Sequence, residues 1–134
     1  MSNSFTDIKA WQYAHQFVID VYKHTRMFPD TERYGLCSQF QRAAVSIAAN
    51  IAEGYKKLSK ADKLRFFNIS QGSLEECRYY VLLSRDLGYI DNGIFDNLNS
   101  EIEKVSWYIN AYCKGIINNS GVTEYCPNNS HKLH

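Results

Sequence analysis

Proline and glycine are scarce in this sequence: two prolines and seven glycines in 134 residues, with Pro29 the sole proline before Pro127. A chain with so few breakers does not read as many short strands joined by tight turns, and long helices are favoured instead. Long hydrophobic runs are missing as well. No stretch approaches the ~18 consecutive apolar residues of a membrane span, and the opening MSNSFTDIKAW lacks the charged region and apolar run of a secretory signal. The four cysteines, Cys37, Cys77, Cys113 and Cys126, form no C-x-x-C pair and have no histidine at metal-ligand spacing. Neither a metal nor a cofactor is expected, and reduced thiols without a signal point to the cytoplasm. Net charge is small, +1 overall, far from the strongly basic balance of a committed nucleic-acid protein.

What is present is apolar and aromatic: 45% of residues are hydrophobic, among them seven Phe, ten Tyr and two Trp. That suffices for one packed core in a chain of single-domain length. The apolar residues recur at helical spacing in four segments. The first runs from about Ile8 to Thr25, with Thr6 or Asp7 as N-cap and Trp11, Ala14, Val18, Val21, Tyr22 and Thr25 on one face. Pro29 breaks the chain. Asp30 or Thr31 is placed to cap a second helix from Thr31 to Lys56, whose stripe is Leu36, Phe40, Ala43, Ala44, Ile47, Ala48, Ile51 and Tyr55, with Gly54 near its end.

Ser59, followed three residues later by Asp62, opens a third helix reaching about Leu87. Its inward face reads Phe66, Ser70, Ser73, Leu74, Cys77, Val81, Ser84 and Gly88, and the small pair Gly72 and Ser73 is the expected point of closest approach. GYIDNG breaks the chain again. The fourth helix, about Asp91 to Ile117, carries the heptad-like series Phe95, Leu98, Ile102, Val105, Ile109, Tyr112 and Ile116. Residues 118–134 are polar and aperiodic and read as a flexible tail. Four amphipathic helices on short turns within residues 1–117 predict an all-α, antiparallel up-down four-helix bundle.

Three surface features bear on function. Arg42, Ser46, Asn50 and Glu53 form a polar line along one face of the second helix, beside its apolar stripe. Catalysis would need a base or nucleophile oriented by a second group, and no histidine stands in such a motif; His15 and His24 read as ordinary surface residues. The line therefore reads as a hydrogen-bonded seam that registers the helix against Glu75, Glu76 or Arg78 of the third, and the protein is not expected to be an enzyme.

The second feature is charge. Up to Arg85 there are twelve basic and eight acidic residues, and from Asp86 onward three and six, a balance of +4 against −3. Lys56, Lys57, Lys60, Lys63 and Arg65 stand against one Asp62 at the junction of the second and third helices. Lysines at a helix start oppose the macrodipole, so their concentration there is unexpected for a purely structural turn, and phosphate backbones are candidate ligands. The third feature is an outward line on the third helix, Leu64, Gln71, Glu75, Tyr79 and Leu82, to which Trp107 is added because Trp107 and Tyr108 are adjacent and cannot both face the core. Leu64, Tyr79, Leu82 and Trp107 are the candidate subunit interface of a homo-oligomer.

The stretches FPDTERYGLCSQFQRAAVSIAANIAEGY and FFNISQGSLEECRYYVLLSRDLGYI resemble the signature of the four helix bundle proteins encoded in 23S ribosomal RNA intervening sequences. The resemblance covers about Trp11 to Ile116, and its core is Q-x-x-R-A-x-x-S-I-x-x-N-I-A-E-G. Ala48 stands where a proline is frequent, and Lys56 and Lys57 stand where an arginine is common. Such proteins are similar in fold to the accessory protein of diversity-generating retroelements, a pentamer that binds a reverse transcriptase and nucleic acid. The resemblance thus implies a homopentameric ring acting as a binding scaffold for RNA or DNA through a basic rim, or alternatively a protein-only accessory subunit docking a partner such as a reverse transcriptase.

Overall fold

Helix α1 spans Lys9–Thr25, α2 Leu36–Lys56, α3 Lys60–Asp86 and α4 Asn92–Asn119 in the computed structural model, which describes residues 4–119. Two short 3-10 turns, Phe5–Asp7 and Asp30–Glu32, precede α1 and α2, and there is no strand among the described residues. Short connections force successive helices to run antiparallel. Each helix packs against its neighbours in sequence, and α1 closes the square against α4. The result is a four-helix bundle.

The core follows the apolar stripes. Ala10, Ala14, Phe17, Val21 and Thr25 are the buried residues of α1, so Phe17 belongs inside and Tyr22, which the spacing placed there, is exposed. Helix α2 buries Leu36, Cys37, Phe40, Ala43, Ala44, Ile47, Ala48, Ile51 and Gly54. On α3 the spacing chose the wrong member of an adjacent pair. Phe67 is 1% exposed, and Phe66 stands half-buried beside it. The heptad-like series of α4 holds at Leu98, Ile102, Val105 and Ile109, joined by Cys113 and Ile117. Phe95, Tyr112 and Ile116 pack at its edge.

The helix ends depart from expectation where the chain uses short turns in place of longer helices. Helix α1 begins after a 3-10 turn capped by Ser4, whose side chain accepts from the Thr6 amide, so neither Thr6 nor Asp7 is its N-cap. Asp30 and Thr31 lie in the second 3-10 turn, and α2 starts only at Leu36. Its first free amide is taken by a side chain from that turn: Leu36 N–H donates to Glu32 Oε1 at 3.1 Å. The other carboxylate oxygen, Oε2, accepts from Tyr89 Oη at 2.8 Å, tying the α3–α4 turn to the start of α2. Ser59 caps α3 as its sequence position implies, accepting from the Asp62 amide at 3.1 Å. Gly88 is not an inward position of α3. It has φ +80, and the Tyr89 amide reaches back to Ser84 O at 2.8 Å, the left-handed helix stop that glycine favours.

Of the expected pair Gly72 and Ser73, Ser73 lies at the contact of α2 with α3, where it bonds Ser46, while Gly72 is exposed; Gly54 is a further point of tight packing. A Cβ on Gly54 would lie 3.0 Å from Phe67 Cε1, 3.1 Å from Phe66 Cβ and 3.3 Å from the Lys63 carbonyl oxygen, whereas one on Gly72 would meet nothing within 4 Å. Helix α4 continues two residues past the expected Ile117, and most of the expected tail, residues 120–134 with Cys126, lies outside the described residues. Cys37, Cys77 and Cys113 are buried, and none of them is in a disulfide among the described residues. Burial above all, with the charge of Glu76, pushes the Cys77 thiol far up, so it stays an inert core group.

Candidate nucleic-acid interface

The close packing at Gly54 fixes how the basic turn is displayed. With the end of α2 pressed on α3, residues 56–65 form one end of the bundle, and their cations fall into two sets. Lys63 turns inward. Its Nζ donates to the carbonyls of Tyr55 at 2.6 Å and Gly54 at 3.4 Å. A lysine that opposes the dipole of its own helix here complements that of α2, whose last carbonyls carry the partial negative charge. Burial lowers its pKa from the ordinary lysine value.

Lys57 and Arg65 occupy the middle ground. Lys57 pairs with Glu53 at 3.3 Å and lies over the Phe66 ring, its Nζ 4.9 Å from the centroid. Arg65 reaches Asp62 at 3.8 Å and places its guanidinium 4.5 Å from the same centroid. Lys56 and Lys60 are exposed, and neither pairs with an acidic side chain among the described residues. Between them Leu58 is 99% exposed. The sequence placed these five cations together; it did not reveal that one of them serves as a helix cap.

The polar line of α2 divides at its middle. Ser46 Oγ and Ser73 Oγ share a hydrogen bond at 2.7 Å, and Asn50 Nδ2 donates to Ser46 O at 2.8 Å and Ser46 Oγ at 3.0 Å. Ser70, fully buried, donates to Ile47 O at 2.8 Å. The partners on α3 are therefore the small serines at the contact, and the expected partners lie elsewhere. Glu75 and Glu76 are exposed, and Arg78 bonds Glu75 and Glu103, joining α3 to α4. Arg42 is exposed, and Glu53 is taken up by Lys57. Replacing Asn50 with Leu removes two donations to Ser46, one to its carbonyl and one to its hydroxyl, so Asn50→Leu is expected to cost about 1 kcal/mol. That is a fall of about 4 °C in the melting temperature; an unchanged melt in circular dichroism contradicts it.

The outward line on α3 and α4 is also divided. Tyr79, Leu82 and Trp107 are exposed, Trp107 to 50%, but Leu64 packs against the core. Gln71 is half-buried and donates to Asn110 on α4.

A second apolar face was not anticipated. Trp11, Val18 and Ala52 join Val45, Ala48 and Ala49 in an open groove of about 300 Å³ between α1 and α2, and Val45 also lines the neighbouring groove of about 580 Å³ with Tyr22 and Arg42. Its signal was the run of alanines on α2, too small to fill the space beside α1.

Between α1 and α4 stands one more buried polar contact. Glu101 Oε1 is buried and receives no donor among the described residues, while the carboxyl lies within hydrogen-bond reach of Asp20. Two carboxyls can bond only through a proton that one of them carries. Burial first, then the hydrogen bond to Asp20 and its charge, pushes Glu101 up to about 8, against a smaller downward pull from Lys104.

These features define an all-helical bundle whose buried polar groups are mainly spent on fixing one helix against the next. No helix among the described residues is long and apolar enough to cross a membrane, and no group of three or more potential metal ligands is found among them. The chain belongs to the 23S rRNA-intervening sequence protein family, whose model matches residues 6–111. It is similar in fold to a crystal structure of a protein of unknown function from the S23 ribosomal protein family of Bacteroides thetaiotaomicron VPI-5482. The two share a TM-score of 0.72 at 20% identity, over 78% of this chain and 95% of the other. No curated protein matches the chain.

Proposed function

We propose that this protein is a non-catalytic binding scaffold that engages RNA or DNA through the α2–α3 end and works as a homo-oligomer. The observation that carries the reading is the exposure of Lys56 and Lys60 beside Lys57 and Arg65 at one end of the bundle. Cations that are not neutralised within the protein release counterions from a phosphate backbone on binding, and repetition of the same end in several subunits multiplies the effect. The non-catalytic reading is supported by the α2 polar line, where Ser46 and Asn50 spend their hydrogen bonds on Ser73 and the backbone. Exposed Tyr79, Leu82 and Trp107, together with the α1–α2 grooves, offer surfaces on which subunits could meet.

The test is fluorescence anisotropy of labelled RNA and DNA at low and physiological salt, beside molar mass by light scattering. Binding that weakens with salt is expected, and Lys56→Glu with Lys60→Glu should lower affinity about tenfold and flatten the salt slope. Both positions are exposed, so the thermal melt should not change. Absence of binding at low salt, or a double variant that binds like the parent, overturns the nucleic-acid reading. A monomer at all concentrations overturns the oligomer.

A further inference from the structure

We infer that the α2–α3 end takes unpaired nucleotides in preference to duplex, with Phe66 and the Arg65 guanidinium as the surface on which a base stacks and Lys56, Lys57 and Lys60 as its phosphate contacts. This rests on the nucleic-acid reading above and narrows it. Phosphates are displayed by paired and unpaired strands alike, so lysines alone cannot tell them apart. A flat ring can, because a duplex keeps the faces of its bases inside its own stack, while an unpaired strand leaves them free.

Phe66 is suited to that task and its neighbour is not. Phe67 fills the core against Tyr112, whereas Phe66 is half-buried and has two cations over its ring, at 4.5 Å and 4.9 Å from the centroid. Both cations are only loosely held: Arg65 lies 3.8 Å from Asp62, and the Lys57 partner Glu53 is itself exposed. A guanidinium stacked on a ring extends the planar surface, and an ammonium is free to leave the ring for a phosphate.

Among the described residues each of the other rings with a cation over it has one, and two of these stand in acidic surroundings. Arg85 sits over Phe95 while pairing with Asp86, and Lys104 sits over Tyr13 close to Glu101. Within the run of five cations, Lys63 also lies over a ring, 5.5 Å from the Tyr55 centroid, but it is spent on the Tyr55 and Gly54 carbonyls, whereas Phe66 carries two cations of the run.

The experiment uses the full chain and four labelled probes of one sequence: single-stranded RNA, single-stranded DNA and the two corresponding duplexes, all at low salt. Both single strands are expected to bind more tightly than either duplex, since neither a ring face nor a phosphate contact reads the 2′-hydroxyl. Phe66→Ala should weaken single-strand binding about fivefold or more, leaving duplex affinity as it was. Phe66→Leu keeps an apolar side chain of similar bulk beside Gly54 and should lose the same increment with an unchanged thermal melt.

Equal affinity for strands and duplexes overturns the inference but leaves the binding reading standing, as does full single-strand affinity in Phe66→Leu. Binding confined to one of the two sugars also overturns it. Failure of all four probes to bind removes the binding reading itself.

Discussion

Gly54→Val is expected to destabilise the bundle by about 3 kcal/mol, lowering the melting temperature by about 10 °C. On propensity alone the change should help, because glycine inside a helix costs about 1 kcal/mol relative to alanine. Space decides the sign. The first carbon of any side chain at Gly54 meets Phe67 Cε1 at 3.0 Å and the Lys63 carbonyl oxygen at 3.3 Å. Phe67 is locked in the core and the carbonyl belongs to the α3 backbone, so neither can yield as a surface side chain would. Valine adds two further methyls to the same gap. The separation of α2 and α3 it imposes also withdraws the carbonyls that Lys63 caps, so the basic end should lose its order together with the fold. A Gly54→Val protein that melts within a degree or two of the parent would show that the helices do not meet there.

The number and order of the helices were legible because each has an apolar stripe at helical spacing and because breakers are rare enough to mark the joints. Ser59 was legible as a cap for a local reason: the residue and the amide it serves are three positions apart. What the spacing could not resolve lay within a single helical step or across the chain. Phe66 and Phe67 both fit the α3 stripe to within one residue, and it is Phe67 that enters the core, with its ring edge-on to Tyr112 of α4, a partner distant in sequence. Glu32 caps α2 from outside the helix and at the same time accepts from Tyr89, far away in sequence, so no local pattern announces it.

The basic turn was read as a group because its members are contiguous. Its division into a capping Lys63, ring-bound Lys57 and Arg65, and outward Lys56 and Lys60 follows from how α2 ends against α3. The polar line of α2 was visible by period alone, but period does not say which members reach a neighbour. Ser46 does so because Ser73 stands opposite, Asn50 holds Ser46 from within α2, and Arg42 and Glu53 remain outside the contact.

Glu101→Gln is expected to make the protein more stable at pH 9 and to leave it nearly unchanged at pH 4. Glu101 has a raised value in the folded chain, about 8 against 4.5 for the free side chain. A group whose proton is held more tightly in the folded state contributes stability below its unfolded value, and that contribution is lost as pH rises through the folded one. The window is therefore about pH 4.5 to 8, and the parent should weaken steadily across it. At full strength such a shift is worth several kcal/mol, but the carboxyl is only half-buried, and solvent screening reduces the expected effect to about 1–2 kcal/mol. Glutamine keeps the shape and supplies an N–H donor to Asp20 at every pH, with no charge to bury. Its stability should be level across the window where the parent declines, as read by chemical denaturation at a series of pH values. Parallel curves for the two proteins would mean that Glu101 and Asp20 do not share a proton between α1 and α4.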